Sequence, residues 1–135
     1  MKKLIKWSIA AACLLLGAVT WAQIPSTQHS NGISYISGGV GEEETTILAE
    51  AKQWPLLLEL SQIENGRGVW IFGVRIKILN GKKQLLFDAQ ADGPYMLINL
   101  DAGEYVIDAS YQGVSQQRFI SIKANSSQKI SLFWK

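Results

Sequence analysis

At 135 residues the chain is long enough for one domain with its own core. A single cysteine excludes a disulfide framework, and a single histidine with no partner thiolate excludes a zinc site of ordinary spacing. Thirteen basic against eleven acidic residues give no charge excess that would point to nucleic acid.

The first stretch has the grammar of an address. Lys2, Lys3 and Lys6 make a basic start, and Trp7 to Val19 is apolar or small apart from Ser8. Thr20-Trp21-Ala22 then offers small residues where a signal peptidase reads, so residues 1–22 are expected to be a signal peptide cut before Gln23. The apolar run is short for a membrane span, which needs roughly 20 residues. Cys13 is followed by three leucines and is read as part of the signal core. Without the signal, ten basic residues stand against eleven acidic ones. The signal predicts a periplasmic or secreted protein with no stable membrane span once it is cut, and the charge balance predicts no nucleic-acid partner.

Residues 23–37 open on QIPSTQHSNG, a polar run with Pro and Gly, and are expected to be a flexible arm, although the stretch from Ile33 could start as a short strand before the chain breaks in the glycine loop. His29 lies in it. Gly38-Gly39-Val40-Gly41 breaks the chain, and Glu42, Glu43 and Glu44 then favour the positive end of a helix. The helix is expected over residues 42–53, with Ile47, Leu48, Ala51 and Trp54 on one face and Pro55 as its stop. The glycine loop lacks the lysine of a phosphate cradle, and adjacent helical carboxylates fan outward rather than converge on calcium. The sharper reading is a contact surface for a basic partner made of Gly39, Gly41, Glu42, Glu43 and Glu44.

From Pro55 the pattern is strands. Leu56, Leu58 and Leu60 alternate with Leu57, Glu59 and Ser61, and Asn65-Gly66 marks a turn. Trp70, Phe72, Val74, Ile76 and Ile78 share one parity, with Gly73 a candidate bulge. Asn80-Gly81 signals a hairpin. Residues 84–90 make a further strand, and Asp92-Gly93-Pro94 turns the chain. Residues 94–113 read as two strands joined by a tight turn at Asp101-Ala102-Gly103, where Gly103 is expected at positive φ. Tyr105 is placed to bury its ring and bond its hydroxyl to nearby backbone. Strands carrying Ile120 and Ile122, then Ile130, Leu132 and Trp134, follow. Trp54, Trp70 and Trp134 are expected in the core, with a groove for sugar or extended peptide as the rival placement. The sum is an all-β sandwich of about seven strands with one short N-terminal helix.

The run Gly73-Val74-Arg75-Ile76, Asn80-Gly81-Lys82, Asp92-Gly93-Pro94 and Leu100-Asp101-Ala102-Gly103-Glu104-Tyr105 resembles a carboxypeptidase regulatory-like domain, a transthyretin-like (prealbumin-like, Ig-like) sandwich, over roughly residues 55–134. Leu100, Gly103 and Tyr105 are the structural turn of that resemblance. The upstream Gly38–Glu43 segment resembles a group of small secreted bacterial proteins with a GGVG-E-E segment. The resemblance implies the fold and no activity: related transthyretin-like hydrolases use several histidines, and this chain has one and ends SLFWK. Asp88, Asp92, Asp101 and Asp108 sit at turns or on polar parity, where Asp serves the backbone or the surface. The expectation is a non-catalytic binding or interaction module without metal or cofactor. Its partner is an envelope protein, or alternatively a carbohydrate or peptidoglycan met by exposed aromatics; a small hydrolase is the third reading.

Overall fold

The computed structural model describes residues 24–135, so the expected signal peptide and Cys13 lie outside the described residues. The described residues form an all-β sandwich with one short helix. Ten strands are distributed over two sheets. The first sheet runs β1 (Gln28–Ser30), β2 (Ile33–Gly38), β7 (Tyr95–Ile98), β3 (Leu56–Glu64) and β10 (Gln128–Trp134), with β4 (Arg67–Trp70) paired to the far half of β3. The second runs β6 (Leu85–Gln90), β5 (Arg75–Asn80), β8 (Gly103–Tyr111) and β9 (Val114–Ile122). Each sheet pairs its strands antiparallel, except that β10 lies parallel to β3 with Gln128 opposite Leu56.

The two sheets differ in what covers them. In the second, Ile76 and Ile78 are buried while Arg75 and Lys77 are exposed, the alternation of a sheet with one wet face. In the first, Leu56, Leu58, Met96 and Ile98 face the sandwich core, while Ile36, Leu57, Tyr95 and Leu97 pack under the helix. That second layer explains the unbroken apolar runs LLL and YMLI, which a period of two does not predict. The covering helix α1 (Glu43–Glu50) continues as a 3-10 turn over Ala51–Gln53 and stops before Pro55. Eight residues are too few for a helix to hold itself in water. Ile47 and Ala51 hold it against the sheet; Leu48, expected on the same face, is exposed.

Within the arm expected over residues 23–37, the stretch from Gln28 onward is instead part of the first sheet. β1 and β2 form a hairpin, and β2 pairs with β7 from Tyr35–Ile98 to Gly38–Tyr95. Ser30 crosses to the other sheet: its hydroxyl donates to the Asp88 carbonyl at 3.0 Å and accepts the Asp88 N–H at 3.0 Å. β2 is the short strand that the run from Ile33 allowed, whereas polar composition hid β1, whose polar groups bond to protein rather than water.

The stretch 94–113 is not a hairpin. β7 bonds to β2 and β3, whereas β8 bonds to β5 and β9, so residues 99–102 carry the chain from one sheet to the other. The crossing is fastened as a tyrosine corner: the Tyr105 hydroxyl donates to the Asp101 carbonyl at 2.7 Å. Leu100 is buried beneath it. Gly103 has φ 155, at the extended margin of the positive range. The parity expected from Trp70 to Ile78 also breaks. β4 ends at Trp70, Gly73 takes φ 80 and donates to the Ala91 carbonyl, and the phase of side chains changes between them. Ile71 is therefore buried, while Trp70 and Phe72 are 42% and 55% exposed. At Asn80-Gly81 the turn is wider than a two-residue hairpin loop. The Lys83 N–H bonds to the Asn80 carbonyl, Lys83 takes φ 64, and the Asn80 side chain accepts from Lys82 and Gln84.

Candidate ligand-binding site

The residues expected as a contact surface are largely committed to the fold. Gly39 is buried against the Tyr95 ring, and its N–H donates to Glu43 Oε1 at 3.2 Å. Glu44 Oε1 accepts the Tyr95 hydroxyl at 3.1 Å. Burial first, and the bonded Glu44 carboxylate second, push the Tyr95 phenol well above its ordinary value. Two of the three glutamates thus turn inward to hold α1 on the sheet, and only Gly41, Glu42 and the neighbouring Val40 remain exposed. The carboxylates do not fan outward as expected because the helix start is folded back over Tyr95.

The other candidates also have structural employment. His29 is an exposed residue of β1, opposite Ser34. Asp88 is paired with Arg75 at 2.7 Å, and that guanidinium holds its carboxyl below the ordinary range. No group of three His, Cys, Asp or Glu is arranged to hold a metal ion among the described residues. No helix among them is long and apolar enough to cross a membrane.

A concave site lies elsewhere, at the end of the sandwich where α1 runs out. Three separate segments meet there: the helix exit at Lys52 and Trp54, the β7–β8 crossing at Asn99, and the end of β9 with the β9–β10 turn, at Lys123 and Asn125. They line an open cavity of ≈ 670 Å³. Leu100 and Ile122 form apolar floor beside Trp54. The wall is fastened on both sides. The Ser127 hydroxyl donates to the Ala51 carbonyl at 3.0 Å, and the Gln128 N–H donates to the Pro55 carbonyl at 2.9 Å. Asn125 turns the chain at φ 58, a conformation Asn tolerates better than most residues. Trp54 is half-buried, with its indole N–H at 3.5 Å from Glu50 Oε1. Its volume is within the usual range for small-molecule sites, and its mixture of one large aromatic with amides, hydroxyls and lysines suits a polar ligand with apolar patches.

Of the residues singled out from the sequence, Leu100 lies in this cavity, and Trp54 both packs against the core cluster under α1, as expected, and lines the cavity. Trp134 is buried as expected, with its indole N–H donating to the Val114 carbonyl at 2.9 Å. Trp70 leaves the core and tilts over Tyr95 with ring centroids 5.3 Å apart. Gly103 and Tyr105 serve the neighbouring corner. Asn125 is legible in the sequence only as the start of a turn, and Lys52, Asn99 and Lys123 carry no signal of their own: they converge only through the topology. Comparison with known proteins finds neither a family model nor a curated protein that matches this chain.

Proposed function

We propose that this chain is an extracytoplasmic binding module rather than an enzyme, and that it takes a saccharide at the concave end beside Trp54. The cavity at that end is the observation that carries the reading. A sugar ring offers polarised C–H groups on its faces and hydroxyls on its rim. The first suit an aromatic π-face, and the second suit exposed amides such as those of Asn99 and Asn125. The basic start and apolar run of residues 2–19 support a periplasmic or secreted location. Kinship with the carboxypeptidase regulatory-like group belongs to the same proposal. Its support is that Leu100-x-x-Gly103-x-Tyr105 acts as a corner between two sheets.

The test is a fluorescence titration with a panel of neutral and acidic oligosaccharides. Saturable change is expected in the wild type and in Trp70→Phe. Trp54→Ala is expected to lose about 2 kcal/mol of binding, roughly thirtyfold in Kd, as for a truncated aromatic anchor. Circular dichroism checks that the variant is folded. Unchanged fluorescence and no binding heat across the panel would contradict the reading.

A second reading has its own observation. β9 is a nine-residue edge strand on which Val114 and Phe119 are 58% and 79% exposed. An extended segment of an envelope protein could add to that edge. An envelope protein captured by the wild type and lost by Phe119→Lys would favour it, and equal capture by both would count against it.

A further inference from the structure

Two lysines line the cavity beside Trp54, and one carboxylate, that of Glu50, stands at its margin 3.5 Å from the indole N–H. The lysines are Lys52 and Lys123, and no Asp or Glu is part of the lining. The ion pairs found among the described residues are Arg75–Asp88 and Lys129–Glu59, so neither cavity lysine is neutralised by one. Two ammonium groups without an ion-pair partner at one concavity attract an anionic ligand. Lysine presents a point charge rather than a planar fork, so it reads the presence of negative charge more than its geometry.

The rest of the lining narrows the ligand. A fatty chain would need continuous apolar walls, and here Asn99, Asn125 and Ser126 interrupt them. A small inorganic anion would leave most of ≈ 670 Å³ unfilled. We infer that the site recognises an acidic saccharide, a sugar chain bearing an anionic group, laid against Trp54 and met by the Lys52 and Lys123 ammonium groups. The inference rests on the saccharide reading above and deepens it. The fastened wall, from Ser127 to Ala51 and from Gln128 to Pro55, keeps the ordering cost of binding low.

Three probes test it: oligogalacturonate, the same oligomer with its carboxyls reduced to alcohols, and inorganic phosphate, each titrated against the purified protein. Oligogalacturonate is expected to bind. Carboxyl reduction, raised salt, and the double variant Lys52→Gln/Lys123→Gln are each expected to weaken binding about tenfold or more. Both lysines are exposed, so the double variant should keep its melting temperature. The salt titration uses the wild type and stands even if the variant misfolds. Equal affinity for the acidic and reduced oligomers, with loss in Trp54→Ala, would overturn the charge inference and leave the saccharide reading in place. Binding of inorganic phosphate as tight as that of the oligomer would overturn it in favour of a simple anion site. Binding of none of the three would remove the inference and the saccharide reading together.

Discussion

Gly93→Ala is expected to cost about 3 kcal/mol or more, or to prevent folding altogether. A methyl group at this position would come within 2.5 Å of the Gly38 carbonyl oxygen, 2.6 Å of its carbon and 3.0 Å of its Cα. These are backbone atoms of a strand already paired to Tyr95, so no side-chain rotation relieves the overlap. The two glycines meet where the chain leaves β6 for β7. Next to them the Asp92 N–H donates to Ser37 Oγ at 2.7 Å, and Ser37 is buried. Separating the backbones would break that bond as well and leave a buried group unsatisfied. The control is Gly81→Ala, where a methyl group meets nothing within 4 Å. Its effect is expected within about 0.5 kcal/mol. Urea unfolding of both variants checks the contrast, and equal midpoints would contradict this close approach.

Tyr35→Ala is the second large effect, at about 3 kcal/mol, or a fall in Tm of roughly 10 °C or more. The Tyr35 ring stands edge-on to Phe87, a fully buried residue of the opposite sheet, with centroids 5.1 Å apart at 83°. Its hydroxyl donates to Gln28 Oε1 at 3.1 Å. One side chain therefore joins β2 to the other sheet and to β1. Truncation leaves a cavity in the main core and removes the edge-to-face contact. A flexible arm would make the same substitution silent. Thermal unfolding followed by circular dichroism separates the two: an unchanged midpoint would return residues 28–38 to the status of an arm.

Where one face of a strand meets water, the sequence is easily read. Arg75 to Ile78, Tyr105 to Tyr111 and Ile130 to Trp134 alternate as strands of a sandwich do, and each is a strand. Legibility fails where a second layer covers the sheet. Leu57, Tyr95 and Leu97 lie under α1, so their strands show unbroken apolar runs and give no phase. It fails again where the phase is reset, as at Gly73, which puts Trp70 outside and Ile71 inside. The pairing of residues 28–30 with the strand at Ile33 escaped because Gln28 and Ser30 look like loop residues until their long-range partners are known. The glutamates after the glycine loop looked like surface because nothing local shows that Tyr95 lies beneath them.

The site was legible only in its aromatic. Trp54 before Pro55, at the end of a short amphipathic helix, marks a half-buried ring at a corner, and a groove was one of its two expected settings. Asn99, Lys123 and Asn125 are ordinary turn residues. Their meaning comes from β10 lying parallel to β3, which brings the β9–β10 turn back to the helix exit. A parallel closure of this kind leaves no mark at the residues it gathers.

Amide chemical-shift mapping of the labelled protein titrated with oligogalacturonate tests the account most directly. Shifts are expected to gather at residues 52–54, 99–102 and 122–127, around the Trp54 cavity, and to grow to saturation. Shifts confined to residues 39–44 or to the 114–122 edge, or no shifts at all, would contradict it.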